Sequence, residues 1–252
     1  MRFLTFSSTL VRRTLMVIGM LSTSLAFSAD GITKTPFQTP PAAELQYTIK
    51  AKQSGISLGG SASVKWLPTK NTYQILTETH ANLFGKILDA SSIGAIDSFG
   101  LAPEKFVEKR FGKQPTTTTF DRDAKTIRFT ASQETYSIKG GEQDRTSATW
   151  QLVAQARAAG DQFKPGSEWK MFVAGRRDAE PWSFKVIAIE KITTAMGEQN
   201  TIHISKAPPP DSKDQTLDIW LAPDLEWYPV RLKFSDANGE FIDQMLESVK
   251  KL

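Results

Sequence analysis

From Leu45 onward, apolar residues recur at every second position. Leu45, Tyr47, Ile49 and Ala51 alternate with Gln46, Thr48 and Lys50, and Ala62, Val64 and Trp66 alternate with Ser61, Ser63 and Lys65. Tyr73 and Ile75 lead a third run. A period of two puts one set of side chains on an apolar face and the other toward water, which predicts β-strands. Turn chemistry separates the runs at Gln53-Ser54-Gly55, Pro68-Thr69-Lys70-Asn71 and Gly85. Further short strands are expected at Phe106 to Phe111, Thr116 to Phe120, Thr126 to Ala131 and Thr135 to Lys139, with Asp121 to Lys125 as a turn. Residues 86–99 fit neither period well and are read as strand. In the second half, Trp169, Met171 and Val173 alternate, as do Trp182, Phe184, Val186 and Ala188. Leu217, Ile219 and Leu221 pair by pattern with Val230, Leu232 and Phe234, and Asp236-Ala237-Asn238-Gly239 signals a hairpin into a last strand.

One segment breaks the period. Trp150 and Val153, and Leu152, Ala156 and Ala159, fall at helical spacing. Asp144, Thr146 or Ser147 can cap the start, and Gly160 sits where a helix stops. The pattern predicts one amphipathic helix over about 144–159, covering an apolar sheet face. The expected fold is therefore mainly β: an antiparallel meander curled into an open half-barrel, or a sandwich, with one substantial helix. Gly55 to Gly60 follows a strand and enters a strand, so it reads as a bulge or sharp bend rather than a phosphate loop. Ala207-Pro208-Pro209-Pro210-Asp211 reads as an exposed loop, because consecutive prolines cannot donate to a ladder.

The first residues have a different character. Arg2, Arg12 and Arg13 form a basic region without acidic residues, Leu15 to Leu21 extends an apolar core to Leu25, and Ser24-Leu25-Ala26 offers a small-x-small cleavage signal, with Ala29 a second option. This reads as a signal peptide over 1–26, a flexible leader over 27–43 and a single β-rich domain over 44–252. The apolar run is about half of the ~20 residues a spanning helix needs, so no integral membrane anchor is expected in the mature chain. Arg12-Arg13 weakly resembles a twin-arginine export signal, although an arginine pair is common in any basic leader. The expected location is the periplasm.

Charge changes once the leader is set aside. The 252-residue chain has 31 basic and 27 acidic residues, a net charge of +4. Without the three leader arginines the balance is 28 against 27. Lys109-Arg110 and Arg176-Arg177 are pairs rather than a stripe, so nucleic-acid binding is not expected. The chain has no Cys, which excludes disulfides, thiol nucleophiles, thiolate metal sites and a lipoprotein anchor.

Motifs for chemistry are sparse. His80 and His203 are the only histidines, and each lies in an expected strand. Gly55-Ile56-Ser57-Leu58-Gly59 has the Gly-x-Ser-x-Gly spacing, but it enters a strand rather than a helix and so makes no nucleophile elbow, and the chain contains no His-Glu-x-x-His helix. Glu104 with Glu108, Asp121 with Asp123, and Asp211 with Asp214 are candidate carboxylate pairs, and they read as solvated turn and edge charges. No catalytic residue, cofactor or metal site is assigned. Six tryptophans are read mainly as core, with Trp227 and Tyr228 as an exposed turn suited to a partner.

Ile219 to Arg231, with Pro223-Asp224-Leu225-Glu226-Trp227-Tyr228-Pro229-Val230 at its centre, is the most distinctive string. Together with Gly100 to Phe106 and the helix opening at Asp144, it resembles the exported bacterial domain-of-unknown-function family numbered 3108, over about residues 44–249. It is also similar at fold level to carriers built as open β half-barrels, such as the lipoprotein carrier and outer-membrane acceptor proteins, a likeness that carries no function by itself. The family resemblance implies a periplasmic location and no catalytic residues.

Three readings follow. The first is a non-enzymatic periplasmic protein that holds an apolar or lipid-like ligand, lined by Val64, Trp66, Tyr73, Ile75, Trp169, Met171, Phe184, Val186, Ile219 and Leu232. Equally, these residues form a plain core. The second is an envelope-assembly interaction module that recruits an envelope protein through an edge strand or the Trp227-Tyr228 turn. The third is a polysaccharide- or peptidoglycan-active enzyme.

Overall fold

The computed structural model describes residues 34–207 and 215–252. The expected signal peptide and the triple-proline loop from Pro208 onward lie outside the described residues. Fifteen strands and one α-helix follow in order. The first eight are β1 (Ala43–Gln53), β2 (Ile56–Pro68), β3 (Thr72–Ala81), β4 (Gly85–Asp97), β5 (Gly100–Arg110), β6 (Thr116–Asp121), β7 (Thr126–Phe129) and β8 (Thr135–Ser137). After β9 (Gln143–Asp144) comes α1 (Ser147–Ala159), with a short 3-10 turn behind it. The rest are β10 (Glu168–Ala174), β11 (Ala179–Thr194), β12 (Gly197–Lys206), β13 (Thr216–Ala222), β14 (Tyr228–Ser235) and β15 (Phe241–Lys251).

All fifteen form one sheet in the order β8-β7-β6-β5-β4-β3-β2-β1-β15-β14-β13-β12-β11-β10-β9. Every pairing is antiparallel except that of β9 with β10. The meander grows outward from β1 and β15 in both directions. The expected alternation sets its inner face: Leu45, Tyr47 and Ile49 of β1 are buried, as are Trp66, Ile75, Ile204, Ile219 and Val230.

The sheet is strongly curled. Residues 138–142 alone connect β8, at one edge, to β9, at the other, so the two edges lie within at most about 20 Å. They meet through side chains rather than a ladder. Phe120, Ile127 and Phe129 pack with Ala174 and Ala179, the rings of Tyr136 and Phe172 lie 5.8 Å apart, and the Thr118 hydroxyl donates to the Gly175 carbonyl at 2.7 Å. The result is a half-barrel whose hydrogen-bonded ladder stays open while a packed seam draws its edges together.

Several local expectations change. Ser54 and Gly55 both take positive φ (49° and 77°), which makes a two-residue hairpin whose twist matches the flanking strands. From Ile56 the pairing of β2 with β1 is uninterrupted, so the glycine-rich stretch is a regular strand, not a bulge. Gly60 is there for close approach: a Cβ at this position would stand 2.2 Å from the His80 carbonyl oxygen. The helix is also more than a cover. Nine of its residues are buried, including Trp150 on one side and Ala148, Leu152, Val153 and Ala156 on another. Finally, residues 34–42 are not a loose leader. Gln38 N–H donates to the Ala154 carbonyl at 2.8 Å, and the Gln155 side chain donates to the Thr35 hydroxyl at 2.6 Å, so this stretch straps α1 into place.

Candidate functional site

The interior has a helix end and a far end. At the helix end, where β1, β5 and β14 begin, α1 is seated on aromatic rings. Trp150 stacks on Trp66 with centroids 4.7 Å apart and meets Tyr228 edge-on at 6.2 Å. Polar tips find backbone partners. Trp66 Nε1 donates to the Pro40 carbonyl, the Tyr47 hydroxyl to that of Pro229 and the Tyr228 hydroxyl to that of Pro41. Buried Gln151 accepts from Leu101 N–H at 2.8 Å and donates to the Phe99 carbonyl at 2.9 Å. Gly100 makes this clamp possible: its φ is +108°, and a Cβ there would stand 2.3 Å from Gln151 Oε1.

The other side of α1 meets an aliphatic wall. Ala148, Leu152, Val153 and Ala156 pack against Met171, Val173, Phe184, Val186, Ile204, Ile219 and Leu221. Two cavities border this wall. One, of about 210 Å³, lies at the C-terminal end of α1 between Thr35, Pro36, Ala158, Ala159, Gln162 and Trp169. The larger, of about 270 Å³, lies at the far end and is lined by Arg145, Glu180, Trp182, Lys206, Gln215, Leu217 and Phe234. Lys206 is 7 % exposed, its Nζ is 4.8 Å from the centroid of the Trp182 ring, and it is 3.7 Å from Glu180 Oε1. The cavity thus joins two cations and one carboxylate to an apolar floor.

Beyond α1 the inner face is mixed: register puts Thr77, Thr79, Glu108 and Gln244 on it, while an apolar strip persists elsewhere. Ala51, Val64, Leu232, Phe234 and Ile242 are only half-buried there. These positions continue the apolar period of their strands past the point where the helix ends its cover.

The ten residues read from sequence as a lining all belong to this interior. Trp66, Tyr73 and Ile75 join the aromatic cluster, with Val64 and Leu232 at its margin. Met171, Phe184, Val186 and Ile219 form the aliphatic wall, with Trp169 at its margin. Most of them touch the helix and its surroundings rather than empty space. The Trp227-Tyr228 turn is not exposed as expected. Tyr228 is 1 % exposed, and Trp227 is half-buried with its ring 5.9 Å from Phe163. Positive φ at Glu226 and Trp227 (55° and 64°) folds the turn back onto the strap and the turn after α1. Sequence reasoning missed the larger cavity. Trp182, Leu217 and Phe234 stand two residues from Phe184, Ile219 and Leu232 on the same faces, so the period already pointed to them. Arg145, Glu180 and Lys206 carried no such signal.

Groups able to do chemistry are dispersed or enclosed. Asp144 is fully buried. Its Oδ1 accepts from the N–H groups of Thr146 and Ser147, both at 2.8 Å, and its Oδ2 accepts from the Ser92 hydroxyl at 2.5 Å. The Ser92 hydroxyl lies 3.0 Å from that of Tyr73. Burial pushes the Asp144 carboxyl up to about 6 against these hydrogen bonds. Neither cavity touches Asp144, so its place is at the start of α1, tying the helix to β4. His80 is half-exposed beside Glu78 at 3.7 Å. His203 lies on the outer face, stacked on Trp220 at 4.3 Å and 3.1 Å from Asp218. Their strands are far apart in the sheet. Glu108 is buried while Glu104 is exposed, Asp121 accepts from Ala124 N–H within its turn, and Asp211 and Asp214 lie outside the described residues. No group of three or more metal-ligating side chains occurs among the described residues. No helix among them is long and apolar enough to cross a membrane.

A single curled antiparallel sheet, open in its ladder and filled by one helix, is an open β half-barrel. A family model described as protein of unknown function (DUF3108) matches residues 46–247. The chain belongs to this family. Among solved structures, it is similar to a β-barrel-like protein of domain of unknown function DUF1849 from Brucella abortus. That match has TM-score 0.55 and 10 % identity and covers 85 % of this chain and 99 % of that one. A domain assigned as an outer-membrane lipoprotein-sorting protein from Vibrio parahaemolyticus also matches, with TM-score 0.33 and 9 % identity, covering 84 % of this chain and 85 % of that one. So does a protein assigned as exported, with a YmcC-like fold, from Bacteroides fragilis, with TM-score 0.33 and 10 % identity, covering 87 % and 100 %. At 10 % identity the first of these likenesses concerns the fold alone. No curated protein matches the chain.

Proposed function

We propose that this is an exported, periplasmic, non-enzymatic protein that holds an apolar, lipid-like ligand against the aliphatic wall of its half-barrel. One observation carries the reading: half-buried Leu232 and Phe234, paired with Ile219 and Leu217, extend the aliphatic wall beside a cavity that adds Lys206 and Arg145 to Trp182 and Leu217. A chain laid there removes apolar area from water at ~25 cal/mol per Å² before ordering costs. The two cations suit an anionic head at the same place. Ligand sites for whole small molecules run to about 300–1,000 Å³, so neither cavity takes a complete lipid while α1 and its strap stay seated. Binding of a long chain therefore displaces helix side chains from the aliphatic wall, while Trp150 keeps its aromatic seat. The basic, apolar N-terminal pattern ending at Ala26 supports export.

Native mass spectrometry of gently purified protein, before and after incubation with a long-chain acyl probe, tests the reading. One-to-one adducts that organic extraction removes support it. A bare mass before and after incubation contradicts it.

A further inference from the structure

The far end of the half-barrel carries the largest exposed apolar side chains of the described residues. Leu83 and Phe84, in the turn between β3 and β4, are 78 % and 56 % exposed, and Phe111, in the turn between β5 and β6, is 62 % exposed. Strand order makes these turns neighbours. Phe111 N–H donates to the Ile87 carbonyl at 2.8 Å, and the Phe84 and Phe111 rings lie 6.3 Å apart. Together they form a small protruding apolar tip.

The curl brings a second feature to the same place. Because the sheet edges meet, the turn between β10 and β11 reaches β5. Arg110 and Arg176 both pair with the single Glu108 oxygen Oε1, at 2.6 and 3.2 Å. Arg177 follows in the same turn, and Lys109 and Lys113 stand exposed beside Phe111. Burial holds the Arg176 guanidinium below its ordinary range, and the charges of Arg110, Arg145 and Arg177 push it the same way while Glu108 opposes them. Arg176 therefore shares a field with Arg110, Arg145 and Arg177, with Glu108 paired to it and Asp178 in the same turn.

The geometry points to docking of this end on an anionic phospholipid bilayer, with Leu83, Phe84 and Phe111 entering the interface and the exposed Lys109, Lys113 and Arg177 meeting lipid phosphates. Apolar residues on separate protruding turns suit a soft interface that closes around each of them, whereas protein partners seat their anchors in packed pockets. Basic residues beside the apolar ones match a negative surface potential. Nucleic acid, the other polyanion, offers Leu83 nothing apolar to bury against. The inference does not depend on the ligand reading, since none of these tip residues lines either cavity.

Flotation with vesicles tests it, comparing wild type and variants that share the same N-terminus. Wild type is expected to float with vesicles containing equal parts phosphatidylglycerol and phosphatidylcholine, to float poorly with pure phosphatidylcholine, and to release as salt rises. F84S/F111S is expected to lower partitioning about tenfold, and K109Q/K113Q about fivefold per charge removed. I189S, an exposed position of β11 outside the tip, is expected to bind as wild type. Should F84S/F111S fail to fold, judged by thermal unfolding, F84S alone and K109Q/K113Q carry the test. Wild type that does not float, F84S/F111S that floats equally, or indifference to phosphatidylglycerol overturns the proposal, as does a protein cross-linked at position 84 without vesicle binding. Native mass spectrometry of F84S/F111S separates the two readings: lost flotation with retained acyl adducts removes only the docking function.

Discussion

The two inner walls of the half-barrel differ in chemistry. The aromatic wall around Trp66, Tyr47 and Tyr228 is pinned, because each ring both packs and donates to a backbone carbonyl at a proline. A residue of that kind has one orientation in which its packing and its hydrogen bond agree. The opposite wall of Met171, Phe184, Val186 and Ile219 has no such handles, and both cavities border it. Aliphatic contacts are non-directional, so this wall can exchange a helix side chain for a ligand chain at little orientational cost. One wall fixes α1, and the other is where it can yield.

The largest effect is expected from Trp66→Ala. It removes the stack on Trp150 and the bond to Pro40, and unfolding in urea should show a loss of about 3–5 kcal/mol without a gain in acyl capture. Leu152→Ala, on the yielding side of the same helix, should cost about 2–5 kcal/mol yet increase capture of an acyl probe, because it widens the wall next to the ligand path. Equal capture by the two variants would break the distinction between the walls.

Asp144 gives the next effect. Its folded-state pKa of about 6 lies above the ordinary value of 3.8, so the folded protein holds that proton more tightly than the unfolded chain. Its contribution to stability is therefore fully present below about pH 4 and is lost as pH rises through about 6. Urea midpoints of wild type and Asp144→Asn across this range should show a falling contribution that the variant lacks. Persistence of the same slope in the variant would assign it elsewhere. The smallest effect is expected at the strap. Gln155→Ala removes the bond to Thr35 and should cost about 1 kcal/mol, while hastening amide exchange in residues 34–42 more than in β1.

Much of the fold was legible because inward residues follow a period of two and turns carry their own chemistry. The helix was legible from Trp150, Leu152, Val153 and Ala156, although its burial on more than one side was not. Gln151 and Gln155 are polar residues outside the apolar helical pattern, and the clamp on Leu101 and the bond to Thr35 bring them inside. The same limit explains Tyr228: a Trp-Tyr pair beside a proline reads as an exposed turn, while positive φ at two non-glycine residues folds it inward. The seam between β6 and β10, and the arginines it gathers around Glu108, depend on closure of the sheet. That long-range contact leaves no periodic mark. The larger cavity sits between these cases, with its apolar side chains in period and its charged ones not.

Photolabelling with a diazirine-bearing long-chain fatty acid, followed by peptide mapping, tests most directly whether a chain lies along the aliphatic wall. The account predicts labels in peptides of β11, β13 and β14 around Phe184, Ile219 and Leu232, and in α1 around Leu152. Labels confined to exposed Ile187 and Ile189, or to the aromatic wall around Tyr47 and Trp66, would contradict it.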